Sequence, residues 1–275
     1  MGENNEKEIT MPRNREVWID VLKGIAIILV VIGHNANETI ESFIFCFHMP
    51  LFFMISGYLF SPKPAKKYLT RSVKRLIVPY VAFLILIGTP LLAAYYLNGK
   101  FGSEGIVVIK QMIYGGRNLT WIFGTFWFIT VLWMATNLFN FMLSYKVSVW
   151  FLPLLILVGY LTQFIPCSLP WNIDVVPMAL SFIWIGFLLK KSVMPIVKSS
   201  FKGKWILYTL SAVLILGIVF IFREALKVNM KYGEYGMYFI SILSSVLASV
   251  SVAVFAIILG CNKLTQRLLM LIGGG

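Results

Sequence analysis

The sequence predicts an all-α fold, a polytopic bundle of about eight transmembrane helices. Composition and the spacing of apolar runs carry that reading. Hydrophobic residues make up 59% of the 275 residues, charged residues only 13%, and mean hydropathy is +0.84. Apolar runs recur at 17–33, 43–60, 76–97, 121–143, 147–164, 175–189, 205–222 and 237–260, each near the length a helix needs to cross roughly 30 Å of hydrocarbon. No stretch between them is long enough to bury a core of its own. One transmembrane domain over 17–260 is therefore expected, between a polar cytoplasmic N-terminus, 1–16, and a cytoplasmic connection, 261–275.

The first run follows Lys7, Arg13 and Arg15, contains Asp20 and Lys23, and has no small-residue cleavage signal, so it reads as a retained signal anchor. The second, "FIFCFHMPLFFMISGYLF", carries His48 and, two residues later, Pro50, which frees a carbonyl one turn earlier and could bend the helix. The third follows a basic connector, "KPAKKYLTRSVKRLIVPY". A short turn at Tyr145 separates the fourth run from the fifth, and the remaining three are divided by polar segments. The tail "CNKLTQRLLMLIGGG" turns apolar at Leu268 and stops where another span could begin, so the expectation is a chain cut short of further helices.

The chain holds 24 Lys and Arg against 11 Asp and Glu. With the N-terminus in the cytoplasm, seventeen of these cations fall on inner segments and six on outer ones, the bias expected of a multi-pass protein of the cell inner (plasma) membrane. Positive loops lying against anionic lipid account for the net charge of +13 with no nucleic-acid partner. Cys46, Cys167 and Cys261 are too far apart to suggest a disulfide framework, and with two histidines no zinc site is expected. Phosphate-binding glycine loops and a Gly-x-Ser-x-Gly elbow are absent.

Polar residues inside apolar spans are costly and so informative. Asp20 and Lys23, at i and i+3, share a helix face. They either form a functional pair or are a snorkelling lysine with its neutralising carboxylate. His34 lies eleven positions after Lys23, roughly 16 Å further along the span. His48 returns from the same outer turn, which puts both histidines at one depth on one hairpin. Each could be an interfacial ring bonded to a carbonyl; together they suit proton transfer near neutral pH. Arg71 and Arg75, at i and i+4 before the third span, are placed to hold phosphates through forked guanidinium groups. A plain positive loop explains Lys63, Lys66 and Lys67. Cations inside and imidazoles outside suggest a phosphate-bearing donor from the cytoplasm and an acceptor handled toward the exterior. Trp121, Trp127, Trp133 and Trp171 are either a sugar platform or the aromatics common at membrane interfaces.

"WIDVLKGIAIILVVIGHN", "FHMPLFFMISGYLF" and "RSVKRLIVPY", in that order and spacing, resemble the opening three helices of the membrane acyltransferase-3 family, most closely its fucose 4-O-acetylase-like branch. The later "GTFWFITVL", with Trp127, resembles the family's Trp-Phe helix. The resemblance implies a bacterial integral-membrane enzyme, typically of about ten helices, that moves an acyl group, commonly acetyl, from cytoplasmic acetyl-CoA to an extracytoplasmic saccharide. It implies acetyl-CoA as donor substrate, no tightly bound cofactor and no metal. Residue by residue, His34 matches the histidine closing the first motif and would be the catalytic base, with His48 beside it. Lys23 stands where many members carry Arg, and with Arg71 and Arg75 would hold the donor. Asp20, Ser56, Tyr58 and Trp127 would shape the site. Two further readings stay open: a glycan exporter or proton-coupled transporter using the histidines as a relay, and a noncatalytic membrane module.

Overall fold

The computed structural model describes residues 16–273, and within 192–202 and at Lys263 the backbone only. Lys7, Arg13 and Arg15 lie outside the described residues. Every long described element is helical: α1 (Val17–Asn35), α2 (Glu38–Phe45), α3 (His48–Tyr58), α4 (Ala65–Ser72), α5 (Val78–Leu97), α6 (Ile106–Tyr114), α7 (Trp127–Ser144), α8 (Leu152–Thr162), α9 (Val176–Leu188), α10 (Met194–Ile221), α11 (Arg223–Leu226), α12 (Tyr238–Leu259) and α13 (Lys263–Gly273).

Among the described residues seven helical segments are long and apolar enough to cross a membrane: Val17–Asn35, Glu38–Tyr58, Ala65–Leu97, Trp121–Ser144, Pro170–Lys191, Gly203–Ile221 and Tyr238–Leu259. The protein is thus a multi-pass membrane protein. The run at 147–164 forms a shorter apolar helix, Val149–Thr162. Ring contacts show why the chain needs it. Phe128 of α7 meets Phe53 of α3 at 5.0 Å between centroids, while Phe139 meets Phe60 at 4.9 Å and Phe187 at 5.4 Å. Phe128 precedes Phe139 as Phe53 precedes Phe60, so α3 and α7 run parallel. Thr130 of α7 bonds the carbonyl of Trp171, just before α9, and Phe187 near the end of α9 lies beside Phe139. That makes α9 parallel to α7, and the connection between them must return. It does so through α8, whose Tyr160 packs on Tyr238 at the start of α12.

The second run divides where the sequence suggests one helix. Asn37 caps α2 by accepting the amide of Ile40 at 3.1 Å, and the chain breaks at Cys46–Phe47 before His48 opens α3. Pro50 is therefore the third residue of α3. It causes no bend, because amides in a first turn have no intrahelical acceptor to lose.

The core is built on α3 and α9, which approach backbone to backbone. A side chain at Gly57 would collide with the Ile183 carbonyl, and one at Gly186 with that of Met54. Close approach through small residues is the usual packing solution where the surrounding lipid is as apolar as the helix. Phe53, Phe139, Phe182 and Ile183 fill this core, and a second cluster joins α1, α3 and α12 around Leu22, Leu51 and Val252. The helix α13 packs along α1.

Candidate active site

One end of the bundle holds a cavity of about 400 Å³ lined from four directions. From α1 comes Lys23, from α3 Phe52, Ile55 and Ser56, and from the α4–α5 segment Tyr68, Arg71 and Arg75; Phe128, Leu132 and Thr136 of α7 close the far wall. Three of the sequence-predicted donor residues, Lys23, Arg71 and Arg75, therefore share one cavity. Between α4 and α5 the helix widens to a π turn at Val73–Ile77, which carries Arg75. Such turns insert a residue without ending the helix and re-aim its side chains.

Asp20 is buried and accepts from Lys23 Nζ at 3.2 Å, an ion pair bordering the cavity. Its effect is to fix the ammonium's position on α1. Ser56 reaches the cavity and its hydroxyl donates to the Phe52 carbonyl at 2.9 Å. Tyr58 faces elsewhere. Two residues on, about 200° around the helix, its hydroxyl donates to Glu16 at 2.7 Å and its ring packs edge-on against Trp18. Trp127 is buried in the core against Phe128 and does not line the cavity.

The histidines lie at the opposite end of α1 and α3. His34 is exposed, and its ring meets the edge of Phe45 at 5.8 Å. His48 is only 4% exposed, stacks obliquely on the same Phe45 at 4.7 Å, and bonds the Ile44 carbonyl through Nδ1 at 3.1 Å. A carbonyl can only accept, so Nδ1 carries the proton and Nε2 presents a lone pair. Phe45 thus stands between the two imidazoles, with Lys227 Nζ over its ring at 5.4 Å. The histidines are not in the basic cavity, but they continue its walls. His34 is seven residues from Ile27 and eleven from Lys23, and His48 is four from Phe52, all spacings that keep one helix face.

Behind Phe45's end of the bundle the loops are clasped together. Arg117 pairs with Asp174; the Asn172 amide accepts from Arg117 N at 2.6 Å and donates to the Lys231 carbonyl at 2.9 Å; Lys231 Nζ reaches the Leu119 carbonyl at 2.7 Å. Burial lowers the pKa of Lys231 below the ordinary lysine value. Of the four tryptophans weighed as a sugar platform, Trp133 and Trp171 meet at 6.3 Å, Trp121 is 87% exposed, and Trp127 is in the core. They form no single platform. Among the described residues no three His, Cys, Asp or Glu gather into a metal-binding group.

A family described as "Acyltransferase domain", the acyltransferase-3 family, matches residues 16–274. The chain belongs to that family. The chain is also similar to two curated proteins called nodulation protein NolL. That of Sinorhizobium fredii is 33% identical over 144 residues, 46% of this chain and 39% of the relative, and that of Mesorhizobium japonicum is 30% identical over 154 residues, 50% and 39%. The matched region thus spans about two fifths of the length of these relatives. No solved structure matches.

Sequence reading missed the polar residues of α7 that hold the basic cavity in shape. Ser72 and Asn137 exchange hydrogen bonds at 3.2 and 3.0 Å, and Asn140 binds the backbone of Lys63. The signal was present: two asparagines at i and i+3 in an otherwise apolar span.

Proposed function

We propose that this acyltransferase moves an acyl group, acetyl being the simplest, from cytoplasmic acyl-CoA to a hydroxyl of an extracytoplasmic saccharide. The N-terminus lies in the cytoplasm and the protein in the bacterial inner membrane. One observation carries the reading: Lys23, Arg71 and Arg75 converge on a cavity at one end of the same helix faces that end, at the other, in His34 and His48. Cations suit the donor's phosphates. From Ile27 to His34 is seven residues, roughly 10 Å, a span that the donor's flexible arm covers.

His34, exposed at the acceptor's end, takes the proton of the saccharide hydroxyl as its oxygen attacks the thioester carbonyl. The C–O bond forms, the C–S bond breaks, and the imidazolium returns the proton to the departing CoA thiolate. His48, sealed beneath Phe45, orients the reacting end rather than exchanging protons with solvent. Anchoring the donor's phosphates at the basic cavity, so that its arm delivers the thioester carbonyl to the hydroxyl at His34, supplies the proximity term. Asp20 fixes Lys23, and Ser56 shapes the cavity wall.

The test is acetyl-CoA turnover by the purified full-length protein with a panel of cell-envelope glycans, with His34→Ala as control. Acceptor-dependent release of CoA that the mutant loses while remaining folded and inserted is the expected result. Turnover retained in His34→Ala removes that residue from the role of base. Glycan transport across proteoliposomes without a donor would favour a transporter instead.

A further inference from the structure

Three polar side chains meet on the ring of Phe45. His34 touches its edge, His48 stacks obliquely on it, and Lys227 Nζ lies 5.4 Å from its centre. The chain around each holds it there. Gly33 lets α1 close on α2, since a Cβ on it would stand 3.1 Å from Ile44 and 3.5 Å from Phe45. Lys227 follows α11 in extended backbone, ψ 130°, between Leu226 and Val228, which are 5% and 1% exposed. The Val228 amide donates to the Phe45 carbonyl at 3.3 Å. With both neighbours turned into the core, Lys227 is turned out of it and onto the ring. The other two cations of 223–236 are engaged elsewhere: Arg223 with the Phe220 carbonyl and Glu224, Lys231 with the Leu119 carbonyl. Lys227 pairs with Glu41 of α2 at 3.6 Å, a contact that takes at most one of an ammonium's three donors.

We propose that Lys227 is a second catalytic residue of the transfer, donating to the thioester's carbonyl oxygen as that atom becomes an oxyanion. The inference rests on the reading of His34 as base. Attack by the saccharide hydroxyl forms the C–O bond, moves the carbonyl's π pair onto its oxygen and passes the hydroxyl proton to His34. Negative charge then stands on an oxygen that needs a donor already in place. Collapse of the oxyanion breaks the C–S bond, the thiolate takes the proton back from His34, and Lys227 keeps its own proton throughout. The distances allow this division of labour. The ammonium and the His34 ring each lie within 6 Å of one ring centre, so they are less than 12 Å apart. A hydroxyl joined to a carbonyl, with a hydrogen bond at each end, spans roughly 7–8 Å. Both groups are reached from one end of the bundle: His34 is exposed, and the Lys227 side chain is 33% exposed. The nearest cation of the basic cavity along α1, Lys23, is eleven residues from His34, roughly 16 Å, too far to serve.

The experiment is acetyl-CoA turnover by the purified full-length protein with the cell-envelope glycan panel, kcat and donor KM being measured separately for Lys227→Met, Glu41→Gln and the double variant. Removing one preorganised oxyanion donor from a dry site costs roughly a hundred- to a thousandfold in kcat. Because Lys227 is partly exposed, the expectation for Lys227→Met is a loss of at least about tenfold in kcat, with donor KM within about twofold. Lys227→Arg, which keeps a cationic donor, is expected to retain more of kcat than methionine does. Lys227→Met leaves the Glu41 carboxylate close to the reacting oxygen, so the double variant decides: the loss should persist in it, while Glu41→Gln alone stays within about threefold of wild type. Should Lys227→Met fail to insert, the double variant carries the test with the same expected loss. Three results overturn the role of Lys227 and leave His34 as base: a loss in Glu41→Gln equal to that in Lys227→Met, which marks a merely structural ion pair; kcat restored in the double variant; or a Lys227→Met defect confined to donor KM. Turnover retained in His34→Ala overturns the underlying reading, and this inference with it.

Discussion

The side-chain amide of Asn140 on α7 binds the backbone of Lys63 at two points, Nδ2 donating to its carbonyl at 2.9 Å and Oδ1 accepting its amide at 3.0 Å. Lys63 belongs to the connector between α3 and α4, and eight residues later comes Arg71. The connector's backbone groups have no regular secondary structure to satisfy them. An amide side chain offers an NH₂ donor beside a carbonyl acceptor, the match that one residue's own N–H and C=O require. With the Ser72–Asn137 pair one helix turn away, α7 thus holds the segment that presents the cavity's arginines.

Asn140→Leu is expected to cost about 1–3 kcal/mol, because it leaves both backbone groups of Lys63 without their partner. The donor KM should rise with it, since the loop that aims Arg71 is released. Asn140→Asp keeps the acceptor and should fall between. Thermal unfolding of the detergent-solubilised protein and donor titrations check both.

Arg71→Gln and Arg75→Gln are each expected to raise the donor KM roughly ten- to a hundredfold with a smaller change in kcat, the loss of about 1.5–3 kcal/mol that goes with a charge-assisted hydrogen bond. Lysine substitutions should recover part of the loss, because a point charge replaces a fork. Comparing CoA with a pantetheine lacking the nucleotide phosphates decides the cause. If the phosphates are what the arginines hold, the mutations change nothing for the truncated donor.

Much of this arrangement is legible in the sequence, and the reasons it stops being legible are physical. The helices follow from apolar runs whose length the bilayer dictates. Lys23, Arg71 and Arg75 stand out because charge near a span is expensive. Spacing alone separates Ser56 from Tyr58, since two residues along a helix face opposite ways; a motif read as one unit blurs that. The π turn at Val73–Ile77 has no sequence signature. The pairing of Arg117 with Asp174 joins residues 57 apart, and nothing local in either segment points to the other.

The clasp that this pair belongs to is strained and should be intolerant of bulk. Gly116 has φ 60° and faces Asn172 at φ 56°; a Cβ on Gly116 would stand 2.5 Å from Asn172 Oδ1 and 2.7 Å from its backbone nitrogen. Gly116→Ala is expected to destabilise by more than about 1–3 kcal/mol, the cost of a left-handed alanine alone, because it also breaks the bonds from Asn172 to Arg117 and Lys231. Unfolding temperature is the measurement, and Asn172→Gly serves as comparison, since it removes the same hydrogen bonds with no clash.

Beside the clasp, Tyr235 is 1% exposed, and its burial, with Tyr238 and Asp174 acting in the same direction against Arg117, raises its pKa well above the ordinary phenol value. The sign of the consequence follows from proton counting. Above pH about 10 the unfolded chain releases this proton while the folded chain keeps it, so the native state binds more protons and stability falls as pH rises, by up to about 1.4 kcal/mol per unit. Lys231 acts oppositely. Its lowered pKa means that below the ordinary value of about 10.5 the unfolded chain holds more protons, so its contribution rises with pH across that window and is flat beyond it. Past pH 10.5 only the tyrosine's slope remains of the two. Tyr235→Phe is therefore expected to unfold less steeply with alkali than the wild type, and Lys231→Met to lose the rise below about 10.5. Unfolding midpoints from pH 8 to 11.5 test the pair together; identical alkaline slopes for wild type and Tyr235→Phe would show that the phenol ionises as freely in the folded protein as in the unfolded chain.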